Sequence, residues 1–154
     1  SSRVITQFLG HIVRGERIKL VDGGLQKRAF TFVDDGIDGL MKIIGNRNGI
    51  ASGKIYKVGN PKNNLSIKQL AEMMLKLAVT YPEYEKQAKK VRIIKTRSGQ
   101  YYGKDYQDMQ NRVPHIANTS RDLGWGPKVG MKDAVTRVLE SYRTQVAEAR
   151  RLVN

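Results

Sequence analysis

The run Gln26-Lys-Arg-Ala-Phe-Thr-Phe-Val-Asp-Asp-Gly36 joins a fixed cation, Arg28, to an alternating apolar pattern and then to a helix start. Phe30 and Phe32 alternate with their neighbours as a half-buried strand does. Asp34 or Asp35 can N-cap a helix here, because Ile37, Leu40, Met41 and Ile44 recur at the spacing of one helical face. The unit reads as strand, cap, helix. An arginine on such a strand suits an anionic ligand, since its planar fork pairs phosphate oxygens in two directions and keeps its charge.

Two further segments have the same order. Lys54-Ile-Tyr-Lys-Val-Gly-Asn-Pro61 precedes the helix opening at Ser66, and Asn118-Thr-Ser-Arg-Asp-Leu-Gly-Trp-Gly-Pro127 precedes a long closing helix expected over residues 132–152. Ser66-Ile-Lys-Gln69 is a capping box, in which the serine accepts from the backbone at Gln69 while the glutamine side chain reaches back. Ile67, Leu70, Ala71, Met74, Leu77 and Ala78 then share one face. An opening helix is expected from Val4 to Arg14 with Ser1 or Ser2 as cap and Ile5, Phe8 and Ile12 buried. Arg17 to Val21 alternates as a short strand, Asp22-Gly-Gly24 makes a turn, and a hairpin with the Arg28 strand is expected. Val91 to Lys95 reads as another strand, and residues 98–115 as a loop rich in Gly, Tyr and polar groups. Trp125, before Gly-Pro, reads as a corner-packing indole.

The length of 154 residues suits one unit, 1–154, and 40% hydrophobic residues can supply its core. There is no Cys, which excludes disulfides and thiolate chemistry and fits a cytoplasmic setting. Two His are too few for a His-rich metal site, so no metal is expected. No apolar run approaches the ~20 residues of a membrane span, so no membrane partner is expected. With 28 Lys+Arg against 14 Asp+Glu the net charge is +14, which by itself favours a polyanion partner. The densest cluster, Lys86, Lys89, Lys90, Arg92, Lys95 and Arg97, contains no stacking aromatic, so nucleic acid is disfavoured and a solvated basic face expected.

The three ordered units, together with Ser1-Ser-Arg-Val-Ile-Thr-Gln7, Lys19-Leu-Val-Asp-Gly-Gly-Leu-Gln-Lys-Arg28 and Tyr101-Tyr-Gly-Lys-Asp-Tyr-Gln-Asp108, resemble one family. The chain resembles the C-terminal half of the extended short-chain dehydrogenase/reductases, the NAD-dependent sugar-nucleotide epimerases, dehydratases and decarboxylases. Within the family it is most similar to the UDP-glucuronate decarboxylases of polymyxin resistance and lipid A modification. The resemblance covers nearly the whole chain and departs between Tyr81 and Arg97, where charge replaces a less basic stretch.

That resemblance implies an α/β fold, the C-terminal portion of a Rossmann-type enzyme with its substrate-binding subdomain, and a UDP-sugar substrate. It implies that Arg28 holds the pyrophosphate and that Lys19 and Arg3 line the nucleotide-sugar pocket. Tyr106 matches the family's substrate-contacting tyrosine. Arg112 corresponds to an arginine that approaches the sugar carboxylate in decarboxylases and contacts the pyrophosphate in epimerases. Read from residue type alone, Arg28 also fits a surface ion pair, Lys19 a solvent-facing strand position and Tyr106 a packed loop aromatic.

The family's glycine-rich phosphate turn and its Tyr-x-x-x-Lys pair are both missing from this sequence. The expectation is therefore a chain inactive alone, with the N-terminal dinucleotide-binding half absent, NAD bound mainly by that half, and a homo-oligomer possible for the full-length enzyme. An epimerase or dehydratase is the alternative within the class, and a basic nucleic-acid-binding module or a non-catalytic scaffold the alternatives outside it.

Overall fold

A computed structural model describes residues 2–97 and 113–146. The element order is α1 (Ser2–Arg14), β1 (Ile18–Val21), β2 (Lys27–Ala29), α2 (Val33–Gly45), β3 (Asn64–Ser66), α3 (Ile67–Ala78), α4 (Pro82–Ala88), β4 (Ile93–Thr96), α5 (Ala117–Leu123) and α6 (Met131–Tyr142). The fold is mixed α/β, as expected, with a parallel pair β1·β4 and an antiparallel pair β2·β3.

Helix α1 begins two residues before Val4, with Ser1 outside the described residues, and buries Phe8, Leu9, Ile12 and Val13. Gly15 ends it in the left-handed region at φ +67°, where its N–H reaches Ile12 O and the Glu16 N–H reaches His11 O, a crossed closure that spares the last carbonyls. On α3 the capping box forms with both bonds present, Gln69 N to Ser66 Oγ at 3.0 Å and Ser66 N to Gln69 Oε1 at 2.8 Å. Leu70, Ala71, Met74 and Ala78 are buried there, with Ile67 and Leu77 at the margin. They meet α1 and the α6 residues Val135 and Leu139 in one core. Helix α4, not anticipated from the sequence, starts on Pro82 and sinks Tyr84 and Ala88 into the same core.

Several expectations are corrected. The β1–β2 hairpin does not form: Ile18 to Val21 pairs in parallel with Ile93 to Thr96, and Lys27 to Ala29 pairs with Asn64 to Ser66. Asp22, Gly23 and Gly24 all have positive φ, so the chain turns through a 3-10 segment packed against Lys68 and Leu20 and leaves the line of β1. The β2 ladder stops at Ala29, before Phe32, although the Phe30 N–H still donates to Asn63 O. Neither Asp34 nor Asp35 caps α2. The helix starts one residue earlier, at Val33, and both acids lie in its first turn, where the dipole favours negative charge. Residues 54–60 enter no ladder among the described residues, and the third unit opens as the helix α5 rather than as a strand. Helix α6 ends at Tyr142, short of the expected Leu152; residues 147–154 lie outside the described set.

The α2 apolar stripe exists as its spacing implies, yet it faces outward. Ile37, Leu40, Met41 and Ile44 are each more than half exposed, while the buried side of the helix is Asp35 and Gly39.

Candidate substrate-binding cleft

A cleft of about 580 Å³ lies between the end of β2 and residues 57–59, with Ala29 and Thr31 on one wall and Lys57, Val58 and Gly59 on the other. Val113 and Pro114 close one side. The walls approach because residue 59 is glycine: a Cβ there would stand 2.7 Å from Pro114 Cγ and 3.6 Å from Thr31 Oγ1. The Thr119 hydroxyl, on α5, donates to Lys57 O at 2.7 Å and fixes the backbone of that wall. The exposed Lys57 side chain is the cationic group among the described lining residues, and Thr31 supplies a hydroxyl.

A polar cluster anchors the same wall from outside the cleft. The Tyr56 hydroxyl donates to Asp122 Oδ2 at 2.9 Å, Arg121 Nε donates to Asp122 Oδ1 at 2.9 Å, and Lys54 Nζ stands 3.5 Å from Asp122 Oδ2. Bonding from Arg121, then from Tyr56, holds the Asp122 carboxyl below the ordinary carboxylate range. Burial, then the bond to Asp122, raises the Tyr56 hydroxyl. A carboxylate with both oxygens engaged is poorly placed to accept a substrate proton, so the cluster fastens residues 54–57 to α5 and leaves ligand contact to Lys57.

The residues expected at the site are dispersed. Arg28 sits on β2 opposite Leu65, next to the cleft-lining Ala29, and its guanidinium donates to Lys27 O at 3.1 Å; it borders the cleft without lining it. Lys19 is exposed on β1, in the other sheet, opposite Ile94. Arg3 is exposed in the first turn of α1. Tyr106 and Arg112 lie outside the described residues, although Val113, next to Arg112 in sequence, lines the cleft. Lys57 and Thr31 were not singled out from the sequence. Lys57 carried one usable signal, as the second cation flanking a tyrosine in Lys54-Ile-Tyr-Lys57.

The described residues do not form a dinucleotide phosphate cradle. The strand-to-glycine turn in the described chain, β1 into Asp22-Gly-Gly24, leads to β2 and not to a helix. The space a Cβ would take at Gly24 is bounded by Lys68 N at 3.0 Å and Leu20 Cδ1 at 3.1 Å, so the turn is packed by the protein itself and does not stand open to a pyrophosphate. The basic residues Lys86, Lys89, Lys90, Arg92, Lys95 and Arg97 lie on and after α4, and all six are exposed.

Residues 1–59 match the NAD dependent epimerase/dehydratase family. Over its whole length the chain is 56% identical to the PbgP3 protein from Burkholderia pseudomallei, with a TM-score of 0.86, and covers 42% of that chain. The UDP-glucuronic acid 4-epimerase from Bacillus cereus, solved with UDP-glucuronic acid and NAD, matches 94% of this chain and 40% of its own at 16% identity and a TM-score of 0.69. The UDP-glucose 4-epimerase from Thermotoga maritima, solved with UDP-glucose, matches 90% of this chain and 38% of its own at 18% identity and a TM-score of 0.63. The two epimerases share the fold. The chain spans about two fifths of the length of these solved structures.

Proposed function

We propose that this chain is the substrate-side part of an NAD-dependent sugar-nucleotide enzyme and that its ligand is a UDP-sugar, UDP-glucuronate first among them. The observation that carries the reading is the cleft between Ala29 and Lys57–Gly59, bordered by the Arg28 strand and continued in sequence toward Arg112 by its lining residue Val113. Fold similarity to proteins solved with UDP-glucuronic acid and with UDP-glucose supports the ligand class.

In this reading Arg28 and Lys57 meet the pyrophosphate, Lys19 and Arg3 attend the nucleotide side, Tyr106 orients the sugar, and Arg112 approaches the C6 carboxylate. The finer activity is oxidative decarboxylation of UDP-glucuronate. Its hydride chemistry belongs to NAD held outside the residues described, so the role of this chain is to bind and orient the substrate and to place a guanidinium where the carboxylate is lost. An epimerase would use the same residues with Arg112 on the pyrophosphate.

The test is a calorimetric titration of the chain with UDP-glucuronate, UDP and NAD. Saturable binding of UDP-glucuronate and UDP, weakened tenfold or more by Lys57→Ala or Arg28→Ala, and a flat NAD trace are expected. Micromolar NAD binding, or UDP-glucuronate binding indifferent to both substitutions, contradicts the assignment. Arg112→Lys keeps the charge and loses the planar fork. A loss confined to UDP-glucuronate places Arg112 on the carboxylate, whereas an equal loss for UDP moves it to the pyrophosphate and favours the epimerase.

A further inference from the structure

Strand β4 has one edge paired and one edge open among the described residues. Its register with β1 runs from Ile18↔Ile93 to Val21↔Thr96, and the Ile18 N–H donates to Arg92 O at 2.9 Å. A parallel ladder in that phase engages Arg92, Ile94 and Thr96 on β4 and turns the N–H and C=O groups of Ile93 and Lys95 away from β1. No other described strand stands beside them, since this sheet is the pair β1·β4. Burial has the same asymmetry: Ile18 and Leu20 are 0% and 3% exposed, whereas Ile93 and Ile94 are only partly buried.

Cations line that edge. Arg92, Lys95 and Arg97 are exposed and, like Lys86 and Lys90 on the approach from α4, enter no ion pair among the described residues. Two neighbouring acids are already engaged, Glu85 with Lys89 at 2.6 Å and Glu16 with Arg14 at 2.9 Å. Arg17 and Arg92 hold matching positions one residue before the ladder, which places two like charges side by side until an anion answers them. Lysine on an edge guards against pairing with a second copy, and here it does so by charge, which leaves the edge open to a strand of opposite charge. We propose that the outer edge of β4 takes an extended acidic peptide segment of a partner protein as an added strand. Its main chain bonds to Ile93 and Lys95, and its carboxylates, two residues apart, face Lys95 and Arg97. Exposed ion pairs contribute little singly, so charge selects the segment and main-chain bonds hold it. Nucleic acid and anionic lipid answer the charge but carry no row of N–H and C=O groups to continue a ladder, and Lys86 to Arg97 contains no aromatic for base stacking. The proposal goes beyond the sugar-nucleotide reading and does not depend on it.

The probe is a peptide of about ten residues alternating Glu and Val, titrated into the chain at about 0.15 M salt. At saturation, amide exchange at Ile93 and Lys95 is expected to slow by about 10-fold or more, while Ile94, already bonded within the sheet, changes by less than about 2-fold. Lys95→Glu with Arg97→Glu is expected to weaken the peptide by about 10-fold or more, and Lys42→Glu with Lys132→Glu, an equal charge change elsewhere, by less than about 3-fold. The same peptide N-methylated throughout keeps its charge, loses its donors and is expected to bind about 10-fold or more weaker. That arm needs no variant, so a substitution that unfolds the chain leaves the test intact. Equal binding of the methylated peptide, indifference to the Lys95 and Arg97 substitutions, unchanged exchange at Ile93 and Lys95, or tighter binding of duplex DNA or phosphatidylserine vesicles at the same salt overturns the proposal. So does concentration-dependent protection of the two amides without peptide, which assigns the edge to a second copy.

Discussion

The indole N–H of Trp125 donates to the main-chain oxygen of Asp35 at 2.9 Å, joining two residues 90 apart in sequence. The Asp35 carboxylate completes the tie, one oxygen accepting from Lys128 N at 3.0 Å and Val129 N at 2.9 Å. Val129 O in turn accepts from Asn60 at 3.2 Å and Asn63 at 3.0 Å. The start of α2, the corner before α6 and the approach to β3 are thus held by one buried polar chain, and the cleft wall 57–59 leads into it.

Asp35→Ala removes the acceptor for two backbone donors, at least one of them buried. A loss of about 2–4 kcal/mol is expected, against about 1 kcal/mol for Asp35→Asn, which keeps an oxygen in place. Urea denaturation at neutral pH measures both. Equal losses would mean that the carboxylate oxygen contributes nothing as an acceptor.

Gly39 reverses the usual glycine rule. A Cβ there would stand 2.9 Å from Val58 Cγ1 and 3.1 Å from Trp125 Nε1, whereas one at Gly36 meets nothing within 4 Å. Gly39→Ala is expected to destabilise by about 1–3 kcal/mol despite its better helix propensity, and Gly36→Ala to stabilise by up to about 1 kcal/mol. Thermal melts decide the signs. A stabilised Gly39→Ala would show that the α2–Trp125 contact can give way at no cost.

Tyr84 is 1% exposed and its hydroxyl donates to Leu139 O, tying α4 to α6. Burial above all, aided by the Glu83 charge, pushes its pKa up to about 12. The folded state therefore keeps a proton that the unfolded chain releases near pH 10, so stability falls as pH rises from 10 toward 12, by roughly 1–3 kcal/mol. Tyr84→Phe is expected to cost about 1 kcal/mol at pH 7 by orphaning the Leu139 carbonyl and to flatten that alkaline slope. Denaturation at pH 7, 10 and 11.5 reads both; parallel curves for the two proteins would remove Tyr84 from the alkaline response.

Asp122 gives the opposite dependence. With its pKa lowered by Arg121 and Tyr56, its contribution is complete above the ordinary carboxylate range and is lost as pH falls through the lowered value. The stability of the native chain to urea is expected to fall on acidification through that lowered value. In Asp122→Asn it should be lower already at pH 7 and respond less to acid. No difference between the two proteins at pH 7 would detach the carboxylate from the cleft wall.

What the sequence determined by itself was local. The capping box at Ser66 and Gln69, the apolar face of α3, the end of α1 near Arg14, the apolar stripe of α2 and the structural part played by Trp125 all come from spacing and from the hydrogen-bonding needs of helix ends. These interactions span few residues, so pattern suffices to specify them. The partners of those patterns were decided by tertiary structure. Asp35 looks like a cap in sequence and serves as an acceptor for residues 93 and 94 positions away. β1 looks like half of a hairpin, yet three positive-φ residues turn the chain and its partner arrives more than seventy residues later, at Ile93. Lys57 lines the cleft because Thr119 fixes its backbone, and Gly59 admits Pro114 to the same space. Periodicity tells which face of an element is apolar, but non-local hydrogen bonds and close backbone approach decide what that face meets, and in α2 they leave it turned outward.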